Sequence, residues 1–108
     1  MNKIQTPYVY LFVRTDLSIP QQIVQTAHAV DELNKRHGHK NMHQTTNHMV
    51  LCGAHSSDEL FGISEHLQSH GIAHEMFYEP DIDGHTAIAT EPLVGSNRLP
   101  LKRFRLLR

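Results

Sequence analysis

Residues Tyr8–Arg14 form an unbroken apolar and aromatic run, with Pro7 before it and Thr15-Asp16 after it. The run is too short for a helix and rich in strand formers, which predicts a buried strand. Continuous rather than alternating apolarity points to a sheet covered on both faces. Ser18 then stands two residues before Pro20, a helix start with proline in the first turn, where its missing N–H costs little. Ile19, Ile23, Ala27, Val30 and Leu33 recur at spacings of three and four, the apolar stripe of an amphipathic helix running to about Lys35. Lys35 and Arg36 sit at its C-terminal end, where the helix dipole favours positive charge. The polar stretch 37–47 reads as a connector, and residues 49–53 as a second strand. Ser56 and Glu59 offer a capping box to a helix whose inner face is traced by Leu60, Ile63 and Leu67, with Gly71 placed to end it. Residues 72–78 and 86–90 read as strands joined by a turn over 79–84. Residues 101–107 predict a short edge strand that interleaves apolar and basic side chains. Strand, helix, strand, helix, strand, strand is an α/β order.

The 108 residues fit a single domain, 1–108, with a core over about 8–95 and a basic C-terminal segment over 98–108. No apolar run approaches the roughly 20 residues of a membrane span, and the N-terminus lacks signal-peptide architecture. The single cysteine, Cys52, excludes an intramolecular disulfide and a cysteine zinc cluster, which favours a reducing compartment and a cytoplasmic location. Charge alters this bland picture. The net charge of −1 hides a polarised chain: Arg98, Lys102, Arg103, Arg105 and Arg108 crowd the end without an acid among them, and Glu75, Glu79, Asp81 and Asp83 precede them.

Gln25 and His28 lie three apart and so share a face of the first helix, close to the end of the first strand, where open α/β sheets bind ligands. A hydrogen-bonded core histidine explains the same spacing equally well. Within residues 81–86 stand two carboxylates (Asp81 and Asp83), a glycine, His85 and Thr86. Such a set can position a water for general-base attack, and it can equally make a tight turn. His37, His39, His43 and His48 match no zinc spacing, so no metal is expected. Cys52, in a predicted buried strand, reads as a structural thiol. The basic tail is a candidate phosphate contact, or a solvated edge whose charge discourages strand pairing.

The segments Val13-Arg14-Thr15-Asp16-Leu17 and Gln25-Thr26-Ala27-His28-Ala29 resemble the archaeal/eukaryotic-type (type II) peptidyl-tRNA hydrolases, and Gly84-His85-Thr86-Ala87-Ile88-Ala89 is similar to that family's Gly-Arg-Thr-Gln-Ile-Ala entry into a strand. The resemblance spans residues 8–95. It implies a three-layer α/β/α domain with a mixed, mostly four-stranded sheet, often homodimeric. It also implies hydrolysis, without a cofactor, of the ester between a peptide and the 3′ end of tRNA. Carried over by position, Gln25, His28, Thr86 and a turn aspartate, Asp83 or Asp81, become the candidate catalytic residues. Arg14, Arg98, Lys102, Arg103 and Arg105 become the candidate tRNA contacts. Two departures stand out: Gln21 occupies the place of a family lysine, and His85 that of an arginine. Both remove positive charge from the expected site. A non-catalytic relative that binds RNA or protein is the alternative the sequence leaves open.

Overall fold

The computed structural model describes residues 6–38 and 46–107. Its elements run β1 (Tyr8–Arg14), α1 (Ile19–His37), β2 (His48–Ala54), α2 (Ser57–Ser69), β3 (His74–Glu79) and β4 (Gly84–Thr90), followed by a 3-10 helix (Gly95–Leu101). The strands form one sheet in the order β2-β1-β4-β3. The β1–β2 pair is parallel, and β4 runs antiparallel to both β1 and β3, so the sheet is mixed.

Local chemistry accounts for the helix ends. The Ser18 hydroxyl accepts from the Gln21 amide at the start of α1, and the Ser56 hydroxyl from the Glu59 amide at the start of α2. Glu59 completes its cap by accepting from the His55 amide, 2.9 Å away. Gly71 closes α2 in the left-handed region at φ 69°, a conformation that suits a residue without a Cβ.

Both faces of the sheet are covered, as the continuous apolarity of β1 requires. Val9, Leu11 and Val13 pack with Ala87 and Ala89 beneath Ala29 and Leu33 of α1. Tyr10, Phe12, Cys52, Ala54 and Ile88 pack against Leu60, Ile63 and Leu67 of α2. The result is the three-layer α/β/α arrangement. Among the described residues, no helix is long and apolar enough to cross a membrane.

Two expectations need correction. The predicted edge strand over 101–107 is reduced to one bridge, Cys52 to Leu106, supported by the Leu107 amide donating to the Leu51 carbonyl. Leu101 instead ends the 3-10 helix, and Leu101 and Phe104 turn inward onto the α2-side core, which breaks the extended run. The second correction concerns α1. Its buried residues are Gln25, Ala29 and Leu33, whereas Ile19 and Ile23 are 71% and 65% exposed. At 3.6 residues per turn, the buried line is rotated about 100° from the apolar stripe. The buried line begins at a polar residue, Gln25, whose amide is satisfied inside the fold by Thr86 and Glu79.

Candidate active site

The C-terminal end of β1, the first turns of α1 and the β3–β4 hairpin converge at one end of the sheet. Gln25 and Thr86 are both fully buried there. The Thr86 hydroxyl donates to Gln25 Oε1 at 2.7 Å. Gln25 Nε2 donates to Glu79 Oε1 at 2.9 Å and to Gln21 Oε1 at 3.1 Å. The direction of this chain follows from Glu79: an ionised carboxylate only accepts, so the amide N–H of Gln25 must face it. The amide oxygen then faces Thr86, whose hydroxyl must donate. With its proton committed to Gln25, the Thr86 oxygen offers only lone pairs to anything further.

Strict alternation would not bring Thr86 to α1. Ala87 and Ala89 face α1 and Ile88 faces α2, so Thr86 should share the α2 side with Ile88. The β3–β4 register slips, however: Phe77 pairs with Ala87 and Tyr78 with His85, leaving Thr86 without a partner on β3. This bulge re-aims the threonine toward Gln25.

The remaining sequence candidates are scattered around this core. His28 is exposed, and its ring stacks on Phe77 with centroids 4.6 Å apart. It is therefore not a core histidine. Asp83 is exposed at φ 55° and accepts a hydrogen bond from the Tyr78 hydroxyl. That bond holds the Tyr78 phenol above its usual pKa. Asp81 is exposed on the hairpin. The carboxylate that reaches Gln25 is thus Glu79. In the sequence Glu79 stands only as one acid of the stretch Glu75, Glu79, Asp81 and Asp83, at the start of a turn.

Arg14 meets Asp16 through two hydrogen bonds, at 2.9 and 2.8 Å, and donates to the His85 carbonyl at 3.3 Å. The pairing raises the Arg14 pKa and lowers that of Asp16, through the shared hydrogen bonds first. Arg98 lies at the other end of β1, its guanidinium 3.4 Å from the centre of the Tyr8 ring and its Nε bonded to the Tyr10 hydroxyl. A seven-residue strand puts it roughly 20 Å from Arg14. Lys102, Arg103 and Arg105 are exposed on the tail, Arg103 beside His66 of α2. Of the four histidines weighed for metal, His39 and His43 lie outside the described residues. His37 pairs with Glu75, and His48 packs on Tyr8. Cys52 is buried, and burial pushes its thiol up to about 11, which keeps it protonated and unreactive.

The fold and site define an α/β domain with a threonine–amide–carboxylate chain, buried at its threonine and amide, at the end of its sheet. The model of the family peptidyl-tRNA hydrolase PTH2 matches residues 8–96, and the chain belongs to that family. Among solved structures, it is similar to a protein of unknown function from Agrobacterium tumefaciens strain C58. The two share 12% identity over 97% of this chain and 100% of the other, with a TM-score of 0.69. That likeness bears on the fold alone. No curated protein matches the sequence.

Proposed function

We propose that this protein hydrolyses the ester joining a peptide to the 3′ end of tRNA in the cytoplasm, with Thr86, Gln25 and Glu79 as the site that prepares the water. The observation that carries the reading is the Thr86–Gln25–Glu79 chain, running from a buried hydroxyl to a half-buried carboxylate, in a member of the PTH2 family. Ester hydrolysis needs an oriented water, a base and a donor for the oxyanion. Thr86, fully buried, fixes the Gln25 amide and, through it, the half-buried Glu79 carboxylate that meets the water. Glu79 keeps one oxygen on Gln25 and has the other free to take a proton as the water attacks the carbonyl. Gln21 already gives its amide oxygen to Gln25, which leaves its N–H groups to donate to the oxyanion in place of the family lysine. The tetrahedral intermediate collapses by releasing the ribose 3′ oxygen. His28, exposed one turn along α1 from Gln25, is the group assigned to return a proton to it.

Asp83, the sequence's candidate for this carboxylate, holds Tyr78 in this reading. Arg14, Lys102, Arg103, Arg105 and Arg98 remain the candidate phosphate contacts. The family resemblance also suggests a homodimer. An apolar groove of about 450 Å³ between α1 and β2, lined by Ile19, Ile23, Leu51 and Leu107 among others, supplies a surface for it.

The deciding experiment is release of N-acetyl-aminoacyl groups from charged tRNA, with free aminoacyl-tRNA as control, by wild type and Glu79→Gln. Selective release that drops 100-fold or more in the variant is expected for a lost general base. No release by the wild type, with tRNA still bound at low salt, would leave a binding module. Undiminished release by Glu79→Gln would place the base elsewhere.

A further inference from the structure

Three rings that take no part in the water site meet at the same end of the sheet. Phe61 on α2 and Tyr78 on β3 are 44% and 43% exposed. His85 on β4 sits between them, its ring centroid 5.1 Å from Phe61 and 5.2 Å from Tyr78, nearly perpendicular to each. Exposed apolar side chains are ordinarily scattered singly, so a contiguous exposed set marks a contact surface. Two of its three residues are anchored. The Tyr78 hydroxyl is fixed by Asp83, a non-glycine residue kept in the left-handed region to do so. The His85 carbonyl is fixed by Arg14, whose guanidinium lies 3.3 Å from where a Cβ on Gly84 would stand. Rigid aromatic rings offer large contact area at little entropic cost.

We propose that Phe61, Tyr78 and His85 form a stacking platform for the terminal adenine of the tRNA acceptor strand. The proposal rests on the hydrolase reading above, because it takes that substrate's chemistry as given. His85 and Thr86 are consecutive, and the bulge sends Thr86 to the α1 side while His85 stays with Tyr78 on the α2 side. A ribose seated at the end of β4 then has its ester on the Thr86 side and its base on the Phe61–Tyr78 side. The terminal base is the same in every tRNA, so the site has no need to read base edges. A π surface suffices, and stacking is tolerant of sequence. His85, which stands where the family has arginine, gives up a charge and supplies the ring that joins the other two.

The test uses the trinucleotide cytidyl-cytidyl-adenosine, a matched trinucleotide with an abasic final ribose, and N-acetyl-aminoacyl-tRNA, on wild type and on Phe61→Ala and Tyr78→Ala. Both replaced rings are substantially exposed, so the fold should tolerate the changes; Tyr78→Phe, which keeps the ring and loses the Asp83 bond, serves as a second check. Each alanine variant should weaken the adenine-ended trinucleotide about tenfold while leaving the abasic one unchanged. KM for the charged tRNA should rise by a similar factor with kcat retained, and Tyr78→Phe should fall between wild type and Tyr78→Ala. If the wild type turns over but prefers adenine over the abasic end no more than its alanine variants do, the platform is refuted and the hydrolase reading stands. If no turnover occurs yet adenine-ended binding still depends on both rings, the hydrolase reading fails and the platform stands. Equal binding of the two trinucleotides by the wild type overturns the platform under either outcome.

Discussion

The buried hydrogen bond from Thr86 to Gln25 can be tested by Thr86→Val, a nearly isosteric change that removes only the hydroxyl. Thr86 is fully buried, so its donor is replaced by a methyl group and no water takes over. Gln25 Oε1, also buried, is left without its 2.7 Å partner. Losing the bond and stranding the acceptor should cost about 1–3 kcal/mol. A chain of 108 residues has an unfolding entropy of roughly 0.23 kcal/mol/K, so the melting temperature should fall by about 4–13 °C. Adding Gln25→Leu removes the stranded acceptor, and the double variant should be more stable than the sum of the singles by about 1 kcal/mol. Glu79, only half-buried, recovers a donor from solvent when Gln25 is gone. Thermal unfolding reads the stability side, and single-turnover release from N-acetyl-aminoacyl-tRNA reads the chemistry, which should drop on the order of 100-fold. A melting shift below 2 °C, or strictly additive singles, would refute the claim that the hydroxyl is committed to Gln25. A stability loss with undiminished release would refute its part in placing Glu79 to meet the water.

Other consequences follow from different parts of the molecule. Arg14→Ala should lower the slope of log affinity for tRNA against log salt by just under one unit, measured by filter binding, if its guanidinium meets a phosphate. An unchanged slope would confine Arg14 to its bonds with Asp16 and His85. Ile23→Lys, on a side chain 65% exposed at the α1–β2 groove, should shift sedimentation toward the monomer with little change in melting temperature; a wild type already monomeric at high concentration would remove the groove from self-association. Gly53→Ala places a Cβ 2.9 Å from Thr15 Cγ2 and 3.4 Å from Leu107, so it should destabilise by about 1–3 kcal/mol, and Thr15→Ser, which removes that methyl, should recover part of the loss in denaturant unfolding. Cys52 should resist iodoacetamide at pH 8 until the chain is unfolded. Because its folded pKa lies above the unfolded value of about 9, the unfolded chain loses this proton first. The thiol's contribution to stability is therefore complete below pH 9 and is lost toward pH 11, and Cys52→Ala should flatten that part of the alkaline decline.

The order of elements was legible in the sequence because it rests on local signals. The run Tyr8–Arg14, the Ser18 and Ser56 caps and the left-handed stop at Gly71 each act within a few residues. The elements over β1 to β4 start and stop within two residues of expectation, with the largest differences at the end of α1 and the starts of β3 and β4. The burial of both sheet faces was legible as well, in the unbroken apolarity of β1. The family motifs brought Gln25 and Thr86 forward as candidates. Spacing could not show that they touch, since 61 residues separate them.

Tertiary structure decided the rest. Period-2 alternation puts Thr86 with Ile88 on the α2 side, and only the slip of β3 against β4 turns it to α1. Helical periodicity puts Ile19 and Ile23 inward, but Thr86 and Glu79 together satisfy the Gln25 amide, and the line Gln25, Ala29 and Leu33 faces the core instead. The tail from Leu101 has the alternation of a strand, yet Leu101 and Phe104 turn inward onto the core, which leaves one bridge, at Leu106. That Glu79 reaches Gln25 while Asp83 meets Tyr78 depends in the same way on which carboxylate the hairpin turns toward α1. Each is a contact between two different segments of the chain, and its energy exists only once both have been brought together. A sequence pattern records the preference of each segment alone; the bulge, the rotation of α1 and the choice of carboxylate are properties of the pairs.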